Sequence, residues 1–137
     1  MPTARTRSRL VVVGVVSAAV AAGTLALAPT ASAKAPNIAM GYDNNPHAVW
    51  CVQHLINDWA AKWHVDGYHS RPMAEDGIFG NWTDYWVRRA QDAWMGGDAD
   101  GIVGPATGNH LIEGTQLTGD TYYGGAGHYC YYLIPTG

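Results

Sequence analysis

Aromatic rings dominate the chemistry available to this chain: six Trp and eight Tyr stand beside a single Phe. Such rings offer a flat apolar face to a sugar or peptide and, in Tyr and Trp, a polar edge for hydrogen bonding. Tyr68, Trp82, Tyr85 and Arg89 cluster in and just after a loop, off the main apolar stripe, and are the candidate ligand-binding residues. Tyr122, Tyr123, Tyr131 and Tyr132 form a second aromatic set, which the alternating faces of a strand explain equally well. Glu75-Asp76 with Glu113 is the one carboxylate set suited to glycoside cleavage. Adjacent residues rarely point at one substrate, however, and no nucleophile elbow, Cys–His pair or metalloprotease spacing is present. The chain therefore reads as non-enzymatic, with no catalytic residues.

Metal chemistry is equally thin. The segment around Asp98 and Asp100 has the look of a calcium loop, but Gly96 stands where the first acid belongs and Thr107 where a bidentate Glu belongs. His64, His69 and Asp66, or His47 with His54 on one helix face, lack a further ligand at zinc spacing. No metal and no cofactor is expected.

Three helices must position these groups. Asn45-Pro46 supplies an N-cap and a first-turn proline, and Val49, Val52, Ile56, Trp59 and Trp63 recur at helical steps. This predicts a helix from about Pro46 to Trp63 or His64, with that stripe buried. Residues 65–81, punctuated by Gly67, Pro72, Gly77 and Gly80, read as loop. A second helix is predicted over about Asn81–Met95, with Trp82, Trp86, Ala90 and Trp94 on one side, and a third from Pro105 to about Ile112. The tyrosine- and glycine-rich end has no helical period, and Tyr129–Ile134 is predicted as a strand, half of a hairpin turning near Gly124-Gly125.

The segment DGIFGNWT at residues 76–83 returns as DGIVGPAT at residues 100–107, each time before a helix. Asp76 and Asp100 can fold back onto backbone N–H groups, and Gly77 and Gly101 permit positive φ. Gly80 and Gly104 fall at N-caps, and Thr83 and Thr107 in the first helical turn. Ile78-Phe79 and Ile102-Val103 are expected to enter the core. These eight Asp, Gly and Thr positions are read as structural turn motifs.

Arg5, Arg7 and Arg9, an uncharged run from Leu10 to Ala28, and Ala31-Ser32-Ala33 have the order of a cleaved secretory signal over residues 1–33. The run is also long enough to span a bilayer, but its Ala, Gly, Ser and Thr content and Pro29 favour cleavage. An extended segment (34–45), the helical domain (46–113) and a tail (114–137) would follow, in a secreted, extracellular or wall-associated protein. Lys34, Lys62, Arg71, Arg88 and Arg89 then face all eleven acids, a balance unsuited to nucleic acid or anionic lipid. Cys51 and Cys130 read as a disulfide in such a compartment; a metal site or reactive thiol would need further partners.

The stretch from Val49 to Ile112 resembles the bacterial peptidoglycan-binding domain family. Val52-Gln53 with Ile56, the joint Asp76, Gly77, Gly80 and Thr83, then Trp86-Val87 with Gln91, follow its pattern. So do the joint Asp100, Gly101, Gly104, Pro105 and Thr107, and the closing Leu111. Ala90 and Gly108 replace aromatics common in that family, the loop before Asp76 is longer, and the tail lies outside the pattern. Trp94 and the stapled tail are expected to fill the space this leaves. The resemblance implies a mainly α, three-helix bundle, here with a small C-terminal β element. It further implies a monomeric, non-catalytic module that binds peptidoglycan through its glycan or stem peptide. The alternatives are a secreted protein–protein interaction factor, an inhibitor or toxin reusing the fold, and, last, a small wall hydrolase.

Overall fold

The computed structural model describes residues 34–118 and 122–137, without the side chains of residues 115–118. The predicted signal at residues 1–33 lies outside the described residues, and no described helix is long and apolar enough to cross a membrane. Three helices, α1 (Pro46–Lys62), α2 (Asn81–Met95) and α3 (Pro105–Thr118), are followed by a short 3-10 turn at Tyr129–Tyr132. The one β pairing among the described residues is an isolated antiparallel bridge between Ile38 and Val103, which ties the lead-in to the second Asp-Gly joint.

Helix α1 starts where Asn45 accepts the His47 N–H at 2.9 Å, with Pro46 in the first turn. It ends one residue early. Val65 N–H bonds Ala60 C=O and His64 N–H bonds Ala61 C=O, with His64 at φ 50°, which closes a Schellman cap. Trp63 is the cap residue of that ending, so the 100° helical step no longer sets its direction. It is 58% exposed rather than part of the buried stripe. Trp59 and Trp94 are half-buried and meet edge to face at 5.2 Å, while Trp86 is fully buried.

Helix α3 runs past its predicted end through Gly114. A mid-helix glycine costs about 1 kcal/mol relative to alanine, less than burial of Leu111 and Ile112 against the core returns. The space over Gly108 is filled by the tail: a Cβ there would collide with the Pro135 carbonyl and meet Ile134. Trp94, the other residue expected to fill that space, stacks on His110 at 5.5 Å.

The tail corrects the predicted strand and hairpin. Tyr131 N–H bonds His128 C=O, and Leu133 and Ile134 N–H both bond Cys130 C=O, so the segment satisfies its backbone locally. Cys130 and Ile134, four apart, are the buried pair, a helical rather than alternating pattern. A strand needs a neighbour with free backbone groups, and the lead-in spends its pairing on Val103. The chain does reverse after Tyr123, whose carbonyl accepts the Cys130 N–H at 3.1 Å. Cys51 and Cys130 are joined as a disulfide, with Cα atoms 5.6 Å apart.

The two Asp-Gly joints have one geometry. In the first, Gln53 Nε2 lies 2.9 Å from Asp76 Oδ1, 3.1 Å from Ile78 C=O and 3.1 Å from Thr83 Oγ1, and Gln53 Oε1 accepts Gly77 N–H at 2.9 Å. In the second, Gln91 Nε2 lies 2.8 Å from Asp100 Oδ1, 2.9 Å from Ile102 C=O and 3.0 Å from Thr107 Oγ1, and Gln91 Oε1 accepts Gly101 N–H at 2.9 Å. Gly77 and Gly101 sit at φ 73° and 74°, where a side chain is strained. Phe79 and Val103 are buried as predicted, but Ile78 is 68% exposed and Ile102 half-buried. Their carbonyls must turn inward to the glutamine amide, which turns their side chains out.

The Ile78 N–H at 3.0 Å and the Gln53 amide hold the Asp76 carboxyl below the usual carboxylate range. A depressed folded pKa contributes stability above the unfolded value, about 4, that is lost as pH falls through the folded value. Thermal melts of wild type and Asp76→Asn should therefore differ by a constant amount above about pH 4 and converge below it. A gap that widened on acidification would contradict this linkage.

Candidate functional site

The first joint aims the opening turns of α2, and the loop before it is clamped to α1. Asn57 does the clamping: its Nδ2 donates to Met73 C=O at 2.8 Å and to Glu75 Oε1 at 3.0 Å, and its Oδ1 accepts Met73 N–H at 3.2 Å. Tyr68, in that loop, is thereby brought onto α2.

All four predicted ligand-binding residues meet around Trp86. Trp82 and Tyr85, three apart on α2, stack with centroids 4.9 Å apart and planes within 3°. Each meets Trp86 edge to face, at 6.1 and 5.7 Å, and Tyr68 does so at 6.0 Å. Arg89, one turn beyond Tyr85, donates to its hydroxyl at 3.0 Å and lies 5.7 Å from the Trp86 centroid. Tyr85 stays 43% exposed and Trp82 half-buried, so the stacked pair faces solvent over a buried floor. A shallow groove of about 290 Å³ continues along Tyr85, Arg88, Arg89, Asp92 and Ala99.

The loop adds a member that the sequence does not signal. Arg71 holds its guanidinium 4.4 Å from the Trp82 centroid, a cation–π contact. Nothing in the Gly67–Pro72 spacing fixes which way that loop folds, so Arg71 carries no pattern. Burial raises the Tyr68 hydroxyl pKa, and the charges of Asp58 and Glu75 add to it. The indole N–H groups of Trp82 and Trp86 are buried without a hydrogen-bond partner, which is uncommon for buried polar atoms.

The carboxylates considered for catalysis are occupied or remote. Glu75 accepts from Asn57 and pairs with His54 at 3.0 Å, and Asp76 is held in its turn. Glu113 lies on an exposed part of α3. His64 and His69 lie ring to ring, 5.8 Å between centroids, and no group of three or more metal-ligating side chains gathers among the described residues. The described geometry around Trp86 is a set of packed rings with two guanidinium groups, Arg71 and Arg89, against them. No protein-family model, curated protein or solved structure matches this chain.

Proposed function

We propose that this chain is a secreted, non-catalytic module of the peptidoglycan-binding type, a three-helix bundle that holds bacterial cell wall at the Trp82–Tyr85 face. The single observation that carries the reading is the pair of Asp-Gly joints with matching hydrogen bonds, each closed on a glutamine at the position where the family pattern has one. The disulfide supports export, since such bridges persist in oxidising compartments. Peptidoglycan offers sugar rings for stacking and hydroxyl and amide groups for hydrogen bonds with the side chains around them. Because the described domain is acidic overall, affinity rests on stacking and short-range hydrogen bonds rather than net charge.

Sedimentation with insoluble murein tests this. Wild type should co-sediment at low and high salt, because stacking is not screened. Tyr85→Ala, at an exposed position, should weaken binding about tenfold, the equivalent of one aromatic contact, while a cooperative melt shows that the fold is kept. Release of the wild type at high salt would show charge adsorption and remove the proposal.

A further inference from the structure

A larger groove lies elsewhere, between the start of α1 and the stapled tail. It encloses about 410 Å³ and is lined by His47, Trp50, Tyr122, Tyr123 and Tyr129, a size in the range of small-ligand sites. It shares no residue with the Trp82–Tyr85 face. The rings are steeply inclined to one another, Tyr123 standing at 67° to Trp50, 85° to Tyr122 and 81° to Tyr129. Tyr123 meets Trp50 at 4.9 Å, Tyr122 at 4.6 Å and Tyr129 at 6.1 Å, all edge to face. Rings inclined in this way make a corner, with a flat apolar wall beside a polar edge.

Two features hold that corner in place. Trp50 and Tyr129 each precede a bridged cysteine, so the Cys51–Cys130 bond fixes the tail turn against α1 at this point. The Tyr129 hydroxyl also meets His47 Nδ1 at 3.1 Å. Trp50 is backed by His54, stacked at 4.8 Å with planes within 9°, and His54 is itself held by Glu75 at 3.0 Å. A site whose walls are already ordered loses little side-chain freedom on binding.

Charge selects the ligand class. Among the described residues the lining has no Lys, Arg, Asp or Glu, and the groups paired with His54 behind it, Glu75 and Asp58, are acids. Phosphate, sulfate and carboxylate ligands are repelled. A large protein surface does not fit either, since five residues bury far less than the roughly 1,000 Å² a specific protein interface needs. A neutral sugar has what remains: a C–H face to lie on one ring and hydroxyls to meet the edge of the next. We propose that this groove is a binding site for a neutral glycan segment of one or two sugar rings, separate from the α2 face.

The test is titration with the β-1,4-linked tetramer of N-acetylglucosamine, followed by the indole N–H resonances of isotope-labelled protein. The Trp50 resonance should shift. Tyr122→Ala, at a side chain 72% exposed, should weaken the effect about tenfold while a cooperative melt is retained, whereas Tyr85→Ala should leave it intact. Tyr129→Phe, which keeps the ring and removes the hydroxyl bound to His47, should weaken binding several-fold. An unmoved Trp50 at saturating sugar overturns the inference, and so does a shift insensitive to Tyr122→Ala or one produced instead by a proline-rich decapeptide. If the tetramer fails while murein still sediments in a Tyr85-dependent way, the groove falls and the α2 reading stands. If the tetramer binds and murein sedimentation ignores Tyr85→Ala, the groove stands and the α2 reading falls.

Discussion

Gln91→Ala should lower the folding free energy by about 3 kcal/mol, and Gln53→Ala by a similar amount, measured by chemical denaturation. Each glutamine is almost completely buried and serves four groups of its joint at once. Removing it leaves the Gly101 or Gly77 N–H without its side-chain acceptor and opens a cavity beside it, while the Ile102 and Ile78 carbonyls keep the Gly104 and Gly80 N–H groups; a buried unsatisfied group costs about 1–3 kcal/mol. Gln91→Met, close to glutamine in volume, separates this from cavity formation and should lose nearly as much as alanine. The two networks share no partner, so their effects should add, to about 6 kcal/mol in the double variant. That rivals the whole stability of a domain this size, and the double variant should be unfolded at 25 °C. A Gln91→Met variant within about 0.5 kcal/mol of wild type would show that the amide positions nothing, and the scaffold role of the joints would go with it.

The joints are the most legible part of the molecule because every constraint there is local. Asp, Gly and Thr spacing is enough to specify a turn, and α2 begins and ends at the predicted Asn81 and Met95. The glutamines match a pattern, but their role as hubs is not visible in it. A contact such as Gln53 to Thr83 spans 30 residues, and single-sequence periodicity carries no such distance. The same limit explains Trp63 and Ile78. Helical spacing assigns the first to a buried stripe, and a cap geometry set by His64 and Val65 moves it out. Apolarity assigns the second to the core, and an inward carbonyl displaces it. The four candidate residues around Trp86 are legible through their place in and just after the loop that leads into α2. Arg71 and the His47–Trp50–Tyr129 groove are not, since both depend on how a loop and a tail return across the surface. The predicted tail strand fails for a related reason: tyrosine-rich composition favours β structure only where a partner strand exists, and a bridge to α1 leaves Cys130 and Ile134 packed as a helical pair.

Loss of the Cys51–Cys130 bridge should be the most damaging single covalent change. The bond closes a loop of 79 positions, for which chain entropy predicts roughly 4 kcal/mol of stabilisation. Small domains with one modest core have little else in reserve. The tail cannot replace the bridge by packing. Of its described side chains Cys130, Ile134 and Pro135 are buried, the last over Gly108, and Tyr123, Tyr131 and Leu133 are half-buried against the core. Burying an aliphatic side chain returns about 1.5–3 kcal/mol, while ordering each backbone residue costs about 1–2 kcal/mol. Over the 16 residues from Tyr122 to Gly137, ordering wins unless the far end is already pinned. Cys51→Ala/Cys130→Ala should therefore lose about 4 kcal/mol in denaturation. Its tail amides, above all Cys130 and Ile134, should exchange with solvent much faster than those of α2. Wild type treated with reductant should reproduce both effects. A double variant that kept protected tail amides would mean that packing over Gly108 alone seats the tail. The bridge would then be dispensable to the Trp50–Tyr129 corner, which in this structure it holds in register from both sides.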